Sequence, residues 1–242
     1  MINGLSVALA LKTALKCVLN FFAELFCCLL LLCLCNSITN AATIAGDVID
    51  QKGQALSNVV IVATPLQPPA PETNAGKYQE VLDQRNREFM PHVLVVRSGT
   101  EVSFPNHDKI RHHVYSFSPA KRFEIKLYGD LTPTPILFDM AGIAVLGCNI
   151  HDWMVSYVYV TDSPYFAKTD VSGHWSLNLP VDSYTISYWH PYMEQIQSIM
   201  PETIQVDGGQ DILLNRAIQI KSHYRNGKPP LSGQEEGYKV DP

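Results

Sequence analysis

One short stretch of the chain, residues 147–154 (GCNIHDWM), carries three side chains that bind transition metals. Cys148, His151 and Met154 offer a thiolate, an imidazole and a thioether within seven residues. Ligands of these types together hold copper ions that exchange single electrons. Because a loop at the end of a strand can aim all three side chains at one point, the stretch predicts most of a copper site.

A copper site with two imidazoles, one thiolate and an axial thioether needs a second imidazole from another part of the chain. The candidates are the neighbouring residues His112 and His113. Adjacent residues of a strand point to opposite faces of the sheet, so only one of the two is expected to enter the site. His107 lies in a predicted turn. The remaining histidines have no partner at metal-binding spacing and are expected to be structural or solvated: His92, His174, His190 and His223.

The cysteines are distributed unevenly. Five of the six, at positions 17, 27, 28, 33 and 35, lie in an apolar N-terminal segment, which leaves Cys148 alone outside it. Exported proteins usually pair their cysteines, and a single one indicates intermolecular pairing, a free thiol or a metal ligand. The alternative is a buried, inert thiol. Met154 is likewise either an axial ligand or a core residue, and Met140, the competing thioether, is expected in the core.

The N-terminal segment has the composition of a secretory signal peptide. Lys12 and Lys16 supply positive charge, residues 26–35 are an uninterrupted apolar run, and the small residues Ala41 and Ala42 suit cleavage. We therefore expect residues 1–42 to be a signal peptide and the mature protein to be periplasmic or secreted. The alternative is a retained membrane anchor, since residues 18–35 are almost long enough to cross a bilayer.

Composition excludes several other classes of function. The chain has 242 residues, is 46% hydrophobic and carries a formal net charge of −5, with no basic run of the kind that binds nucleic acid. Without the signal peptide, the 18 basic and 23 acidic residues become 16 and 22, a net charge of −6. No Ser/His/Asp, phosphate-loop or paired-carboxylate pattern stands out. The sequence therefore predicts a protein without its own catalytic site.

The elements that would position the metal ligands are short β-strands. Apolar alternation recurs every eight to twelve residues, which is typical of an all-β sandwich or barrel. Residues 66–76 are predicted to be a linker, residues 77–87 allow one short helix, and residues 221–242 are predicted to be a disordered tail. The strands expected around the site are residues 92–96, 101–104, 113–118, 123–127, 136–139, 143–146 and 155–160.

From about residue 89 to residue 160 the chain resembles the cupredoxins, the blue-copper fold of plastocyanin and amicyanin. Residues 95–108 are similar to the strand-turn-strand that precedes the first copper ligand of that family. Residues 112–114 read His-His-Val where the family has His-Asn-Val, and residues 148–154 form a C-x-x-H-x-x-M loop of amicyanin-like length. The wider resemblance is to bacterial periplasmic proteins labelled methylamine-utilisation or plastocyanin-like.

The resemblance implies a Greek-key sandwich with one type 1 copper ion. Its order of residues favours His112 over His113, and His113 then takes the position of an Asn that braces the ligand loop or serves as an alternative ligand. Asn106 and Asn149 are the other expected supporting side chains. The implied ligands are His112, Cys148, His151 and Met154.

A cupredoxin implies electron transfer to a transient redox partner. We expect His151 to be the exit for the electron, surrounded by an apolar docking patch of Ile150 and Trp153, with Asp152 solvated. Trp153 can equally be a simple packing residue. The acidic net charge favours a partner with a basic face, and contact with a membrane is expected only if the N-terminal segment is retained.

The flanks of the cupredoxin-like stretch resemble a carboxypeptidase-regulatory-like β-sandwich. This implies a second β unit, residues 43–65 and 163–220, split around a cupredoxin domain of residues 77–162. Multicopper oxidases and nitrite reductases add histidine-rich sites that this sequence does not suggest. Two alternatives to an electron carrier stay open, which are a copper carrier or storage protein without a redox role and a β-sandwich interaction module that binds no metal.

Overall fold

The fold was analysed in a computed structural model, which describes residues 41–67, 78–194 and 201–221. Residues 1–40 of the predicted signal peptide or anchor, most of the predicted linker and nearly all of the predicted C-terminal tail lie outside these residues, whereas Ala41 and Ala42, the last two residues of the predicted signal peptide, begin the first strand. Among the described residues, no helix is long and apolar enough to span a membrane.

Regular structure in the described residues consists of strands alone, so the prediction of an all-β fold is confirmed. The strands are β1 (Ala41–Asp50), β2 (Val60–Pro65), β3 (Gln79–Val81), β4 (Asp83–Arg85), β5 (Glu88–Met90), β6 (Val93–Arg97), β7 (Thr100–Ser103), β8 (His112–Ser118), β9 (Lys121–Tyr128), β10 (Ile136–Phe138), β11 (Gly142–Cys148), β12 (Val155–Thr161), β13 (Tyr165–Lys168), β14 (His174–Pro180), β15 (Asp182–Trp189), β16 (Glu202–Val206), β17 (Ile212–Leu213) and β18 (Arg216–Ile218).

The short helix considered for residues 77–87 is wrong, because strands β3 and β4 occupy that part of the chain. Strand β3 adds to the edge of a sheet in parallel with β7, and all three of its residues are exposed. An edge strand with exposed side chains needs no apolar alternation, so its sequence gives no strand signal. Only the inward positions Leu82 and Gln84 are fully buried there.

Two sheets enclose the core around which the predicted ligands lie. One has the strand order β6-β12-β11-β8-β9 and the other the order β10-β7-β3. Inward side chains of the larger sheet alternate with outward ones, as in the burial pattern of β12. The cluster between the sheets includes Phe104, Val114, Leu146, Cys148 and Met154. Two of the predicted metal ligands therefore belong to a packed apolar core.

The strands before and after this central part pair with each other. Strand β1 pairs with β14, and β2 pairs with both β13 and β15, all antiparallel. The resulting sheets have the orders β14-β1-β17, with β18 also on β1, and β13-β2-β15-β16. They enclose a second core that includes Ile44, Ile61, Trp175 and Ile186.

A third, smaller cluster joins side chains of the two groups of strands. Val60 and Trp189, from β2 and β15, pack with Val93 of β6. The ring of Trp189 also lies 5.8 Å from that of Tyr157 in β12. Lys168 of β13 donates a hydrogen bond of 2.6 Å to the carbonyl of Val93. The outer face of the central sheet is therefore covered, in part, by the flanking strands.

Candidate metal centre

Cys148 is the last residue of β11, and the strand's alternation turns its side chain into the core. Ala144, Leu146 and Cys148 are buried in succession along one face. The six-residue loop that follows is closed by its own backbone. The Cys148 N–H donates to the Met154 carbonyl at 3.2 Å, and the Met154 N–H donates to the His151 carbonyl at 3.0 Å. The loop therefore returns His151 and Met154 to the neighbourhood of the cysteine.

His112 reaches the same point from the neighbouring strand. Cys148 pairs with Val114 of β8, and His112 lies two residues earlier on the same inward face. The register of β8 against β9 shifts between His112 and Val114, which marks a β-bulge at the position of the imidazole. The His112 side chain is fully buried.

The three predicted ligand atoms converge. The Cys148 Sγ lies 3.8 Å from the Nδ1 of His112 and 3.9 Å from the Nδ1 of His151, and each of the three residues offers one ligand atom within 4.8 Å of those of the other two. The two imidazole ring centroids are 5.1 Å apart. One point in space can therefore be within bonding reach of all three atoms.

These spacings fit a single transition-metal ion. With bonds of about 2.3 Å to sulfur and about 2.0 Å to nitrogen, the values for zinc, an angle near 120° at the ion separates the two ligand atoms by roughly 3.7 Å. The observed separations of 3.8 and 3.9 Å match that estimate. A thiolate with two imidazoles is a donor set for copper or zinc and a poor one for magnesium or calcium.

Met154 completes the loop as a buried side chain. It is 1% exposed and belongs to the same apolar cluster as Cys148, whose exposure is 3%. Burial beside the cysteine is compatible with both of its predicted roles, an axial thioether and a core residue.

The second nitrogen of His112 has a carboxylate partner that the sequence did not reveal. The Nε2 atom lies 2.7 Å from the Oδ2 of Asp108. Because an ionised carboxylate only accepts hydrogen bonds, the Nε2 atom carries the proton and donates it. The Nδ1 lone pair is then directed at the Cys148 sulfur, as a metal ligand requires.

Two pKa shifts favour the charge states that metal ligation needs. Burial raises the pKa of Asp108, but the hydrogen bonds from the Arg87 N–H, the His112 ring and the Asn86 N–H together hold that pKa below its ordinary value. Burial, and then the charges of His112 and Arg87, lower the pKa of His151. An ionised Asp108 and a neutral His151 are the forms that support and bind a metal ion.

The predicted supporting side chains lie in different places. His113 points away from the cysteine, with its Nε2 atom 3.1 Å from the Oε1 of Glu124. Asn106 is buried in the turn before β8, where its amide donates to the carbonyls of Ile110 at 2.9 Å and Tyr128 at 3.2 Å. Asn149 is exposed in the ligand loop.

The predicted docking residues surround the more accessible imidazole. Ile150 is 49% exposed, and the ring of Trp153 lies 5.1 Å from that of His151. Trp153 also packs on the central core, as expected of a packing residue, and its docking role stays a prediction. Asp152 is exposed, in agreement with prediction. The expectation that Met140 lies in the core is wrong, because it is 51% exposed in the turn between β10 and β11.

Comparison with known proteins gives structural likenesses only. No family model matches the chain, and no curated protein matches it. Similar solved structures include a copper-containing nitrite reductase from Thermus scotoductus SA-01, with 23% identity and a TM-score of 0.33 over 40% of this chain and 25% of that one. The chain thus spans about a quarter of the reductase.

Amicyanins are also among the similar structures. A reduced tryptophan-to-tyrosine variant of amicyanin matches with 20% identity and a TM-score of 0.32, over 42% of this chain and 98% of that one. Amicyanin from Paracoccus versutus matches with 20% identity and the same TM-score, over 42% of this chain and 97% of that one.

Proposed function

We propose that this chain is a type 1 copper protein that carries single electrons and has no catalytic site of its own. The proposed ligands of the one copper ion are His112, Cys148, His151 and Met154. The observation that carries the proposal is the convergence of Cys148, His112 and His151, each of which offers one ligand atom within 4.8 Å of those of the other two.

The side chains of the site have separate tasks in this function. A bound copper ion would supply the one-electron chemistry. His112, Cys148 and Met154 are buried and exclude water, and a rigid β scaffold holds their geometry while the charge changes. His151 is the partly exposed ligand, and its imidazole edge is the proposed route by which the electron leaves.

We propose that the electron is exchanged with a transient redox protein. The exposed Ile150 and the half-buried Trp153 give the His151 edge an apolar surround, which suits a small, short-lived interface. A copper carrier or storage protein could use the same ligands. Reversible one-electron voltammetry of the copper-loaded protein, combined with rapid oxidation of a redox partner, separates the two, because a carrier without a redox role is not expected to show both.

Export is the second part of the proposal. We propose that residues 1–42 are removed as the protein enters the periplasm or the medium, where a single cysteine survives as a metal ligand. Sequencing the N-terminus of the protein recovered outside the cytoplasm tests this, with a start at or next to Thr43 as the expected result. Recovery of the full-length chain with the membrane fraction would instead support the retained anchor.

Colour tests the metal site. The mature protein loaded with one equivalent of Cu(II) is expected to be blue, with an intense thiolate charge-transfer band and a type 1 electron paramagnetic resonance spectrum. Cys148→Ser is expected to abolish the band, because the hydroxyl is a poor ligand for copper. The assignment is wrong if copper binds to that variant with unchanged affinity and spectrum.

A further inference from the structure

Asp108 accepts hydrogen bonds from two separate parts of the chain. Its Oδ2 atom accepts from the His112 ring at 2.7 Å and from the Arg87 N–H at 2.9 Å. Its Oδ1 atom accepts from the Asn86 N–H at 2.6 Å. The side chain of Asp108 is only 13% exposed. A nearly buried carboxylate with three N–H partners has little freedom to move, and neither does the ring that it holds.

The turn that holds Asp108 is connected, through Trp153, to the second imidazole of the site. Asn86 and Arg87 connect β4 to β5, and the Arg87 carbonyl accepts a hydrogen bond of 3.2 Å from the indole N–H of Trp153. The Trp153 ring lies 5.1 Å from that of His151, tilted by 50°. A continuous series of contacts therefore joins His112 to His151 on the outside of the metal centre.

Asp108 and the Asn86–Arg87 turn are both anchored in the fold. The Asp108 N–H donates to the Oδ1 of Asn106 at 2.9 Å, and the Asn106 amide in turn binds two carbonyls. The Asn86–Arg87 turn has both residues at positive φ, 56° and 61°, as a two-residue hairpin turn requires. The His107 N–H donates to the Gln84 carbonyl at 3.0 Å, which ties β4 to the segment that carries Asp108.

We propose that Asp108 is a positioning residue which, through the Asn86–Arg87 turn and Trp153, holds both imidazoles in ligating geometry whether or not metal is bound. We call these four residues the clamp. The effect of the clamp on copper rests on the proposed function, whereas the contacts within the clamp do not. The Asp108 carboxylate fixes the proton of His112 on Nε2 and makes Nδ1 a stronger donor, so it favours Cu(II) over Cu(I).

The first test replaces the carboxylate. In Asp108→Asn, the affinity for Cu(II) is expected to fall about tenfold relative to that for Cu(I), the lower end of the range for partners of metal-bound histidines. Tenfold corresponds to a rise of about 59 mV in the one-electron reduction potential. The matched control is Glu124→Gln, which removes the carboxylate beside His113, the neighbouring histidine outside the site. The control is expected to keep the wild-type potential.

The second test needs no metal. Hydrogen exchange of the metal-free protein reports on the amides of Asn86 and Arg87. An Asn side chain has one acceptor oxygen where Asp has two, so at least one of these amides is expected to lose protection in Asp108→Asn. Glu124→Gln is expected to leave both protected. Equal protection in all three proteins would overturn the clamp, whatever the protein binds.

A third variant examines the other end of the clamp should Asp108→Asn fail to fold. Trp153→Phe keeps an aromatic ring beside His151 and removes the N–H that binds the Arg87 carbonyl, together with one of the two fused rings of the indole. Copper is expected to dissociate about tenfold faster from this variant, and an unchanged rate contradicts the clamp. If the wild-type protein binds no copper, the proposed function fails while the exchange experiment still decides the clamp.

Discussion

The adjacent residues His112 and His113 direct their imidazoles to opposite faces of β8. His112 is buried beside the Cys148 sulfur, whereas the side chain of His113 lies on the other face of β8 beside Glu124. The alternation of side chains along a strand separates them, and the pairing of Val114 with Cys148 decides which one faces the cysteine. The position in the strand therefore distinguishes the candidate ligand His112 from His113, although both side chains are imidazoles.

The pair supports a prediction at the scale of single residues. His112→Ala is expected to weaken copper binding by more than about 100-fold, beyond the range seen for residues that only support a ligand. His113→Ala is expected to keep the affinity and the blue band. Copper titrations followed by absorption measure both variants. The opposite result, with loss of the band in His113→Ala alone, would show that the wrong histidine has been assigned.

The sequence predicted the candidate ligands that are close together in the chain and gave no sign of Asp108, the carboxylate that contacts His112. Cys148, His151 and Met154 share one loop, so their spacing is visible in the sequence. Asp108 becomes significant through contacts with Asn86 and Arg87, more than twenty residues away. Those contacts depend on backbone N–H groups, which every residue except proline has, so no residue type signals them.

Among the strands, the sequence pattern predicted those with one buried face and missed a short polar hairpin. The alternating strands, such as β8 and β12, were predicted because one face of each is buried. The β4–β5 hairpin was missed because it is short and polar, and its turn is Asn-Arg where Asn-Gly is the usual signal. This missed element supplies two of the four residues of the clamp, Asn86 and Arg87.

Two glycines in the flanking strands allow a matched prediction. Gly53 and Gly173 both have positive φ, 75° and 80°. A Cβ at Gly173 would lie 2.5 Å from the Val48 carbonyl oxygen, whereas one at Gly53 would meet nothing within 4 Å. Gly53→Ala is expected to cost about 1–2 kcal/mol through backbone strain alone. Gly173→Ala should cost a further 1–3 kcal/mol or so, because backbone atoms must move.

Urea unfolding of the two variants measures the difference in free energy. The blue band of the copper-loaded protein is a second measurement. Both glycines lie in turns that flank strands of the second core and not in the candidate metal centre. We expect the band to persist in the folded state of each variant. Equal costs at the two positions would mean that the contact with the Val48 carbonyl does not restrict Gly173.

At the scale of the whole molecule, the pairing of distant strands was beyond sequence pattern. Strand β1 pairs with β14 from Ala41 opposite Pro180 to Asp47 opposite His174. Apolar alternation predicts that each strand has a buried face and says nothing of its partner. We propose that the flanking strands form a unit distinct from residues 77–162, in keeping with the two separate clusters of buried side chains.

A buried histidine that directly follows β15, His190, makes stability depend on pH. Burial, together with the charge of His92, lowers the pKa of His190 to about 3. Since the ordinary pKa of histidine is 6.5, His190 binds a proton below pH 6.5 in the unfolded chain but stays neutral in the folded chain until the pH approaches 3. Stability therefore falls as the pH decreases from 6.5, and between pH 6.5 and pH 5 the loss due to His190 is expected to be about 2 kcal/mol.

Urea unfolding of the metal-free protein at several pH values measures this loss. His190→Gln is expected to reduce the slope, since the amide takes up no proton. His174→Gln is the matched control, because His174 is half exposed beside Asp47. The interpretation of His190 is wrong if its variant and the wild-type protein lose the same free energy between pH 6.5 and pH 5.

The central claim is that one copper ion is bound by side chains from β8, β11 and the loop after β11. Copper-edge X-ray absorption of the loaded protein tests it most directly, because it counts the atoms bound to the ion. We predict one short copper–sulfur bond and two imidazole nitrogens, with the sulfur lost in Cys148→Ser. A first coordination sphere of nitrogen and oxygen alone in the wild-type protein would contradict the claim.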